Sequence, residues 1–308
     1  MLIDVSYWFR AERNIIMETP KCEVVKFAAD DGYVYTGLLY KSRSDKRITV
    51  IHIHGMCGNM LSFSSLETLA KGYIENGYNL LTFDLKAHDC IAEGNWTGNT
   101  HQNDFFFYVG GSLEVFERCV IDIESAIHFA LSFSDLIVLQ GHSMGCERII
   151  TYQIVSKNYY PTILISPCDA YQLQMDYIFP KTIDEQICEL EKYRDDVLLP
   201  PECFGINSPK GENYTIPIYK KALLSILSGY ALKVFRQDKE LEYYLPIKCL
   251  CILGENDPLQ TYLPQKAFSI MKKKFRDFQG CTLRGDHEMK PVEDELTSVI
   301  MEWMQQLY

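Results

Sequence analysis

The chain is poor in positive charge. Lysines and arginines number 30 against 41 aspartates and glutamates, a formal net charge of −11. A nucleic-acid partner needs a basic face for its phosphates and is not expected; the acidity reads as a solubility device. Long apolar runs are missing too. None approaches the ~18 residues of a membrane-spanning helix, so no stable membrane association is expected. The opening MLIDVSYWFRAER has neither an apolar h-region nor a small-residue cleavage site, and is not read as a secretion signal. Val5, Trp8 and Phe9 in it have the spacing of one helical face that docks on the core or a second subunit. Paired cysteine motifs are absent: the 11 cysteines are odd in number and include no C-x-x-C. They read as reduced thiols of a cytoplasmic protein rather than a disulfide framework or zinc site. No G-x-G-x-x-G follows a strand, and the H-I-H-G at His52–Gly55 offers too few ligands for a metal. No cofactor is expected.

What the chain does have is LIVLQGHSMG, residues 136–145. A short run rich in branched apolar residues enters G-H-S-M-G, and a helical pattern, Cys146 to Val155, follows. This is the strand–turn–helix context of a nucleophile elbow, G-x-S-x-G. Ser143 must stand clear of the backbone at a turn that crowds side chains, and Gly141 and Gly145 relieve that crowding. The helix that begins beside Ser143 turns its N–H groups toward negative charge developing there.

The rest of the chain arranges itself around that element. Glu23–Phe27 and Val34–Tyr40 read as a hairpin about Asp-Gly. Ile48–Gly55 is a near-continuous apolar strand of the kind buried in parallel sheets. A helix is expected over Ser62–Asn76, a strand over Asn79–Leu85 and an irregular stretch over Lys86–Gly111. Phe105–Tyr108 in that stretch is either an acyl-pocket lining or a core anchor. A long helix capped by Ser112 should run to about Leu131, and a strand should cover Thr162–Ile165. The rhythm breaks from Ser166 to about Leu245, and resumes with Lys248–Asp257, a helix over Pro264–Lys274, a strand near Phe278–Leu283 and a helix over Val292–Gln306. The expected class is α/β, a doubly wound and mostly parallel sheet behind a leading antiparallel hairpin. Residues 1–165 and 246–308 form its core; residues 166–245 form an inserted, mainly helical cap at the sheet edge where ligands bind.

A serine hydroxyl needs a base to take its proton. Of 7 histidines, six precede Ser143 and only His287, in G-D-H-E, follows it; the motif's chain order, serine then acid then histidine, selects it. The acid is Asp257 in G-E-N-D-P-L, favoured over Glu255, Asp169 and Asp286 because it lies directly past a buried strand. An oxyanion requires two convergent N–H donors. The backbone of Met144 is one, and Met56, in the turn HGMCGN, is assigned as the other. His54 is read as bracing that turn, and His88 as structural.

These motifs together, HGMCGN (54–59), GYNLLTFDLKAHD (77–89), GHSMG (141–145), GENDPL (254–259) and GDHE (285–288), resemble the α/β-hydrolase superfamily, in the esterase group of monoacylglycerol-lipase-like and cinnamoyl-esterase-like enzymes. The resemblance implies an α/β-hydrolase fold with Ser143, Asp257 and His287 as catalytic triad. The chain departs from the family pattern at Asp84–Asp89, usually D-x-R-G-H-G, and at Cys146, where a second glycine is frequent. The implied activity is hydrolysis of a carboxylic ester or thioester of a small-molecule acyl substrate through a seryl acyl-enzyme. One rival is an acyltransferase or cyclase using the same intermediate, distinguished by shielding of the site from water. Another is a hydrolase-fold receptor, against which an intact triad counts.

Overall fold

Leu250 and Ile252 turn to one side of their strand while Cys249, Cys251 and Leu253 turn to the other, the period-two alternation of a sheet covered on both faces. The computed structural model that shows this describes residues 21–96, 108–174, 181–199, 205–207, 213–215, 217–236, 242–260 and 263–307. In chain order the elements are β1 (Cys22–Ala28), β2 (Val34–Tyr40), β3 (Ile48–Ile53), α1 (Leu66–Glu75), β4 (Asn79–Phe83), β5 (Ala92–Glu93), β6 (Tyr108–Val109), α2 (Cys119–Leu131), β7 (Leu136–His142), α3 (Met144–Ser156) and β8 (Thr162–Ile165). There follow α4 (Ala170–Leu173), α5 (Ile183–Leu190), β9 (Gly205–Asn207), β10 (Asn213–Thr215) and α6 (Lys220–Ser228). The chain then returns through β11 (Leu245–Gly254), α7 (Pro264–Met271), β12 (Phe275–Leu283) and α8 (Glu293–Gln305).

Eight strands make one sheet in the order β1-β2-β4-β3-β7-β8-β11-β12. The β1–β2 and β2–β4 pairings are antiparallel, and every later one is parallel. Helices α1 and α8 cover one face, packing Leu69, Tyr73, Leu296 and Ile300 onto Val50, Val138 and Ile163. Helices α2, α3 and α7 cover the other, over Ile51, Leu139, Leu164 and Leu253. Cys249 and Cys251 are buried among apolar side chains and serve as small hydrophobes.

Residues 166–245 contribute no strand to this sheet before Leu245, among the described residues. They carry an apolar cluster of their own, including Leu190, Ile218, Leu223, Ile226 and Leu232, closed by Phe116 from the core. Polar ties fix it there: Tyr219 N–H donates to Ser112 O (2.9 Å) and Phe116 N–H to Ser225 Oγ (2.8 Å).

Several element boundaries differ from the sequence reading, three of them with a physical reason on view. The helix expected from Ser112 starts at Cys119, after two 3-10 turns, Gly111–Leu113 and Phe116–Arg118, separated by Glu114 in extended conformation. That extension directs Glu114 inward to a buried partner. Helix α1 starts at Leu66 rather than Ser62, because Ser64 and Ser65 hydroxyls are drawn to Glu288 O (3.4 and 2.7 Å). The last strand starts at Phe275, since α7 ends at Met271 and a tight turn follows. Val5, Trp8, Phe9 and Phe105–Phe107 lie outside the described residues. Tyr108 is exposed.

Candidate active site

Between β7 and α3 there is one residue, Ser143, at φ 53° and ψ −129°. Such a backbone is costly for a side-chain-bearing residue, and persists only where its surroundings dictate it. Here they do. A Cβ on Gly145 would lie 2.1 Å from Ile53 O, and one on Gly141 would lie 2.6 Å from the Gly145 carbonyl carbon. Only glycine lets helix and strands close this tightly. Ser143 N–H is used structurally, donating to Ile165 O at 3.0 Å. Cys146, the departure from the family's glycine, fits without strain: its thiol points to Gly141 O (3.2 Å) and Ile165 O (3.4 Å).

β11 and β12 are adjacent and parallel, so the loops after them emerge at the same sheet edge. One carries Asp257 and the other His287. His287 Nδ1 lies 2.8 Å from Asp257 Oδ2, whose side chain is 0% exposed. A carboxylate only accepts, so Nδ1 holds the proton and Nε2 is left as the acceptor. The His287 carbonyl receives two hydrogen bonds, from His142 Nε2 and Ser166 Oγ, each 2.9 Å. Burial holds the His142 imidazole far below its ordinary pKa, so it stays neutral. The rival acids are occupied elsewhere. Asp169 caps α4 through Gln172 N–H, Asp286 accepts from Glu288 and Lys290 amides, and Glu255 lies 3.9 Å from Arg284.

The turn after β3 reaches the same place, for a Cβ on Gly55 would be 3.5 Å from Ser143 Oγ. The amides of Met56 and Met144 donate to no acceptor among the described residues. The turn is braced by two buried groups. His54 Nδ1–H donates to Gly55 O (2.9 Å), while its Nε2 accepts from Leu85 N–H (3.3 Å). Burial keeps this ring uncharged, which the two opposite roles require. Arg148, from α3, donates through Nη1 to the carbonyls of His54 (2.8 Å) and Gly55 (3.2 Å). Its remaining nitrogens form a bidentate pair with Glu114 at 2.9 and 2.8 Å. Burial works against the guanidinium charge, and the Glu114 carboxylate more than restores it. Arg148 and Glu114 escaped the sequence reading; the one available signal was an arginine just before the apolar Ile149–Ile150 pair of the elbow helix. His88 pairs with Asp89 (3.0 Å), and Asp84 accepts from Met60 N–H (2.8 Å), so the departing loop is tied to the segment that follows β3.

Ser143, His287, Met56 and Met144 open on a cleft of about 400 Å³, in the range of small-molecule sites. Its walls include Leu173, Ile226 and Leu232 from residues 166–245, and Leu259 beside Asp257. Among the described residues no group of three or more histidine, cysteine or acidic side chains is placed to hold a metal, and no helix is long and apolar enough to cross a membrane.

Sheet order, elbow and edge loops define the α/β-hydrolase fold. Solved structures share it across nearly the whole chain. The Pyrococcus furiosus esterase Pf2001 matches at TM-score 0.57 with 16% identity, covering 93% of this chain and 91% of that one. Est1E from Butyrivibrio proteoclasticus with ferulic acid bound matches at TM-score 0.60 and 15% identity, covering 92% and 98%. The mouse alpha/beta hydrolase domain-containing protein 10 matches at TM-score 0.59 and 15% identity, covering 93% and 100%. No family model and no curated sequence matches.

Proposed function

We propose that the chain is a serine hydrolase that cleaves a carboxylic ester or thioester of a small-molecule acyl substrate. The observation that carries this is the 2.8 Å bond between His287 Nδ1 and buried Asp257, facing the strained Ser143 across one cleft. His287 Nε2 takes the Ser143 proton as Oγ attacks the acyl carbonyl. Asp257 holds the ring in the required tautomer and stabilises the imidazolium that forms. The amides of Met56 and Met144 receive the oxyanion of the tetrahedral intermediate, each donor commonly worth about 3–4 kcal/mol. The protonated His287 hands its proton to the leaving oxygen or sulfur. Water, activated by the same ring, then releases the acyl group. Residues 166–245 act as a cap that forms the acyl wall. The ten described cysteines are unpaired, which supports a cytoplasmic setting.

A fluorophosphonate probe tests the reading. Intact-mass analysis should show one adduct on the wild-type protein and none on Ser143→Ala. Labelling that survives in the variant would refute the assignment.

A further inference from the structure

One buried carboxyl in the cleft has no part in this chemistry. Glu147 stands one turn of α3 beyond Ser143, roughly 6 Å along the helix axis. It lines the cleft yet is 1% exposed. Its Oε2 has no hydrogen-bond partner, while its own amide and that of Cys168 donate to the same carboxyl. Its sequence neighbour Arg148 is committed to Glu114 and to the two turn carbonyls. The nearby Tyr243 hydroxyl donates to Val234 O (2.9 Å), and the side chains of Met144, Leu173, Ile226 and Leu232, which line the same cleft, have no hydrogen-bond donor to offer. Gln174, also in the cleft, directs its amide nitrogen to Gln186 at 2.6 Å. A buried polar atom without a partner is expensive, and the side chain that carries this one lines the cleft.

We propose that Glu147 is a specificity-determining residue, binding a hydroxyl group carried on the acyl chain of the substrate. The inference rests on the hydrolase reading above and narrows its substrate class. A hydroxyl suits the position because it both gives and takes a hydrogen bond. Burial supports this choice: it pushes the Glu147 carboxyl up to about 8, so the group is protonated near neutrality and complements an uncharged partner. A site built around such a contact discriminates against an analogue that lacks it, because the protein group is then left unpaired.

The test uses p-nitrophenyl esters of graded chain length in three matched forms, with plain, terminally hydroxylated and terminally ammonium-bearing acyl chains. At the best length, the wild-type kcat/KM should favour the hydroxylated ester over the plain one by about tenfold. In Glu147→Leu that ratio should fall to about one or below. Glu147→Met, a flexible residue of similar length, repeats the measurement if the leucine variant does not fold by circular dichroism. A ratio that is the same in wild type and variant at every length overturns the proposal, as does preference for the ammonium ester. Failure of all three ester forms to acylate Ser143 by mass is a different result, and removes the hydrolase reading itself.

Discussion

The two sides of the cleft are built on different physics. On the sheet side, directional polar contacts hold every reacting group. Asp257 orients His287, His142 and Ser166 hold its carbonyl, and Arg148 and His54 hold the turn after β3. On the other side, residues 166–245 present short helices over an apolar cluster. Hydrogen bonds fix distance and angle, whereas apolar contact is non-directional and tolerates exchange of one side chain for another of similar size. Under the proposed function, chemistry that fails with a 1 Å error rests on the first kind of support, and recognition of an acyl group on the second.

The sharpest way to break this comparison is at the acid. Asp257→Asn keeps the shape but favours the wrong imidazole tautomer, and should lower kcat on the order of 10⁴-fold for every ester alike. Glu255→Gln should change it little. A comparable loss in Asp169→Asn would move the acid to the loop after β8. Stopped-flow release of p-nitrophenol measures all three.

The brace comes next. Arg148→Met leaves Glu114 buried without its partner and should cost about 3–5 kcal/mol of stability. Adding Glu114→Leu should return much of that loss, as measured by urea unfolding. It should not restore kcat, because the carbonyls of His54 and Gly55 would still lack their donor. Full recovery of kcat in the double variant would show that the turn holds itself.

Glu147 gives a pH-dependent contrast. Its value in the folded protein, about 8, lies above the ordinary 4.5, so the folded state holds this proton more tightly than the unfolded chain. The stability it contributes is complete below about pH 4.5 and is lost as the pH rises through 8. Glu147→Gln cannot ionise. Its stability relative to wild type should therefore increase across that window, by no more than about 5 kcal/mol. Urea unfolding at several pH values reads the trend, and a flat difference would mean the carboxyl is not held in its protonated form.

The smallest effect belongs to the apolar side. Leu232→Met, in the cleft wall, should alter stability by less than about 1.5 kcal/mol. Plain esters should be reordered by chain length with little change for the shortest. A uniform drop for all lengths would place Leu232 in the support of the reacting groups instead.

What the sequence could reveal follows the same divide. The elbow was legible because steric demand writes glycines at fixed offsets around Ser143, and strand and helix patterns flank it. His287 was legible by chain order, with no other histidine after the serine. The class of the sheet followed from the alternation of strand-like runs, such as Lys248–Asp257, with helical ones. Glu114 was not legible. Its meeting with Arg148 joins positions 34 residues apart, and no local pattern marks such a pair. The false helix from Ser112 had the same origin, since helical spacing continues through residues that tertiary contact pulls out of register. Glu147 was hidden in another way. An acid in the first turn of a helix is ordinary on the surface, and only tertiary packing makes this one buried.

The Arg148 contacts have a mechanical meaning. The amide of Met144 belongs to α3 and that of Met56 to the turn after β3, two segments about 90 residues apart in sequence that ordinary thermal motion would displace independently. Arg148 grows from α3 and grips the backbone of that turn one and two residues before Met56. A shift of the helix therefore drags the turn with it. These bonds oppose any change in the spacing between the two amides, much as the jaws of a clamp keep their gap when the handle moves.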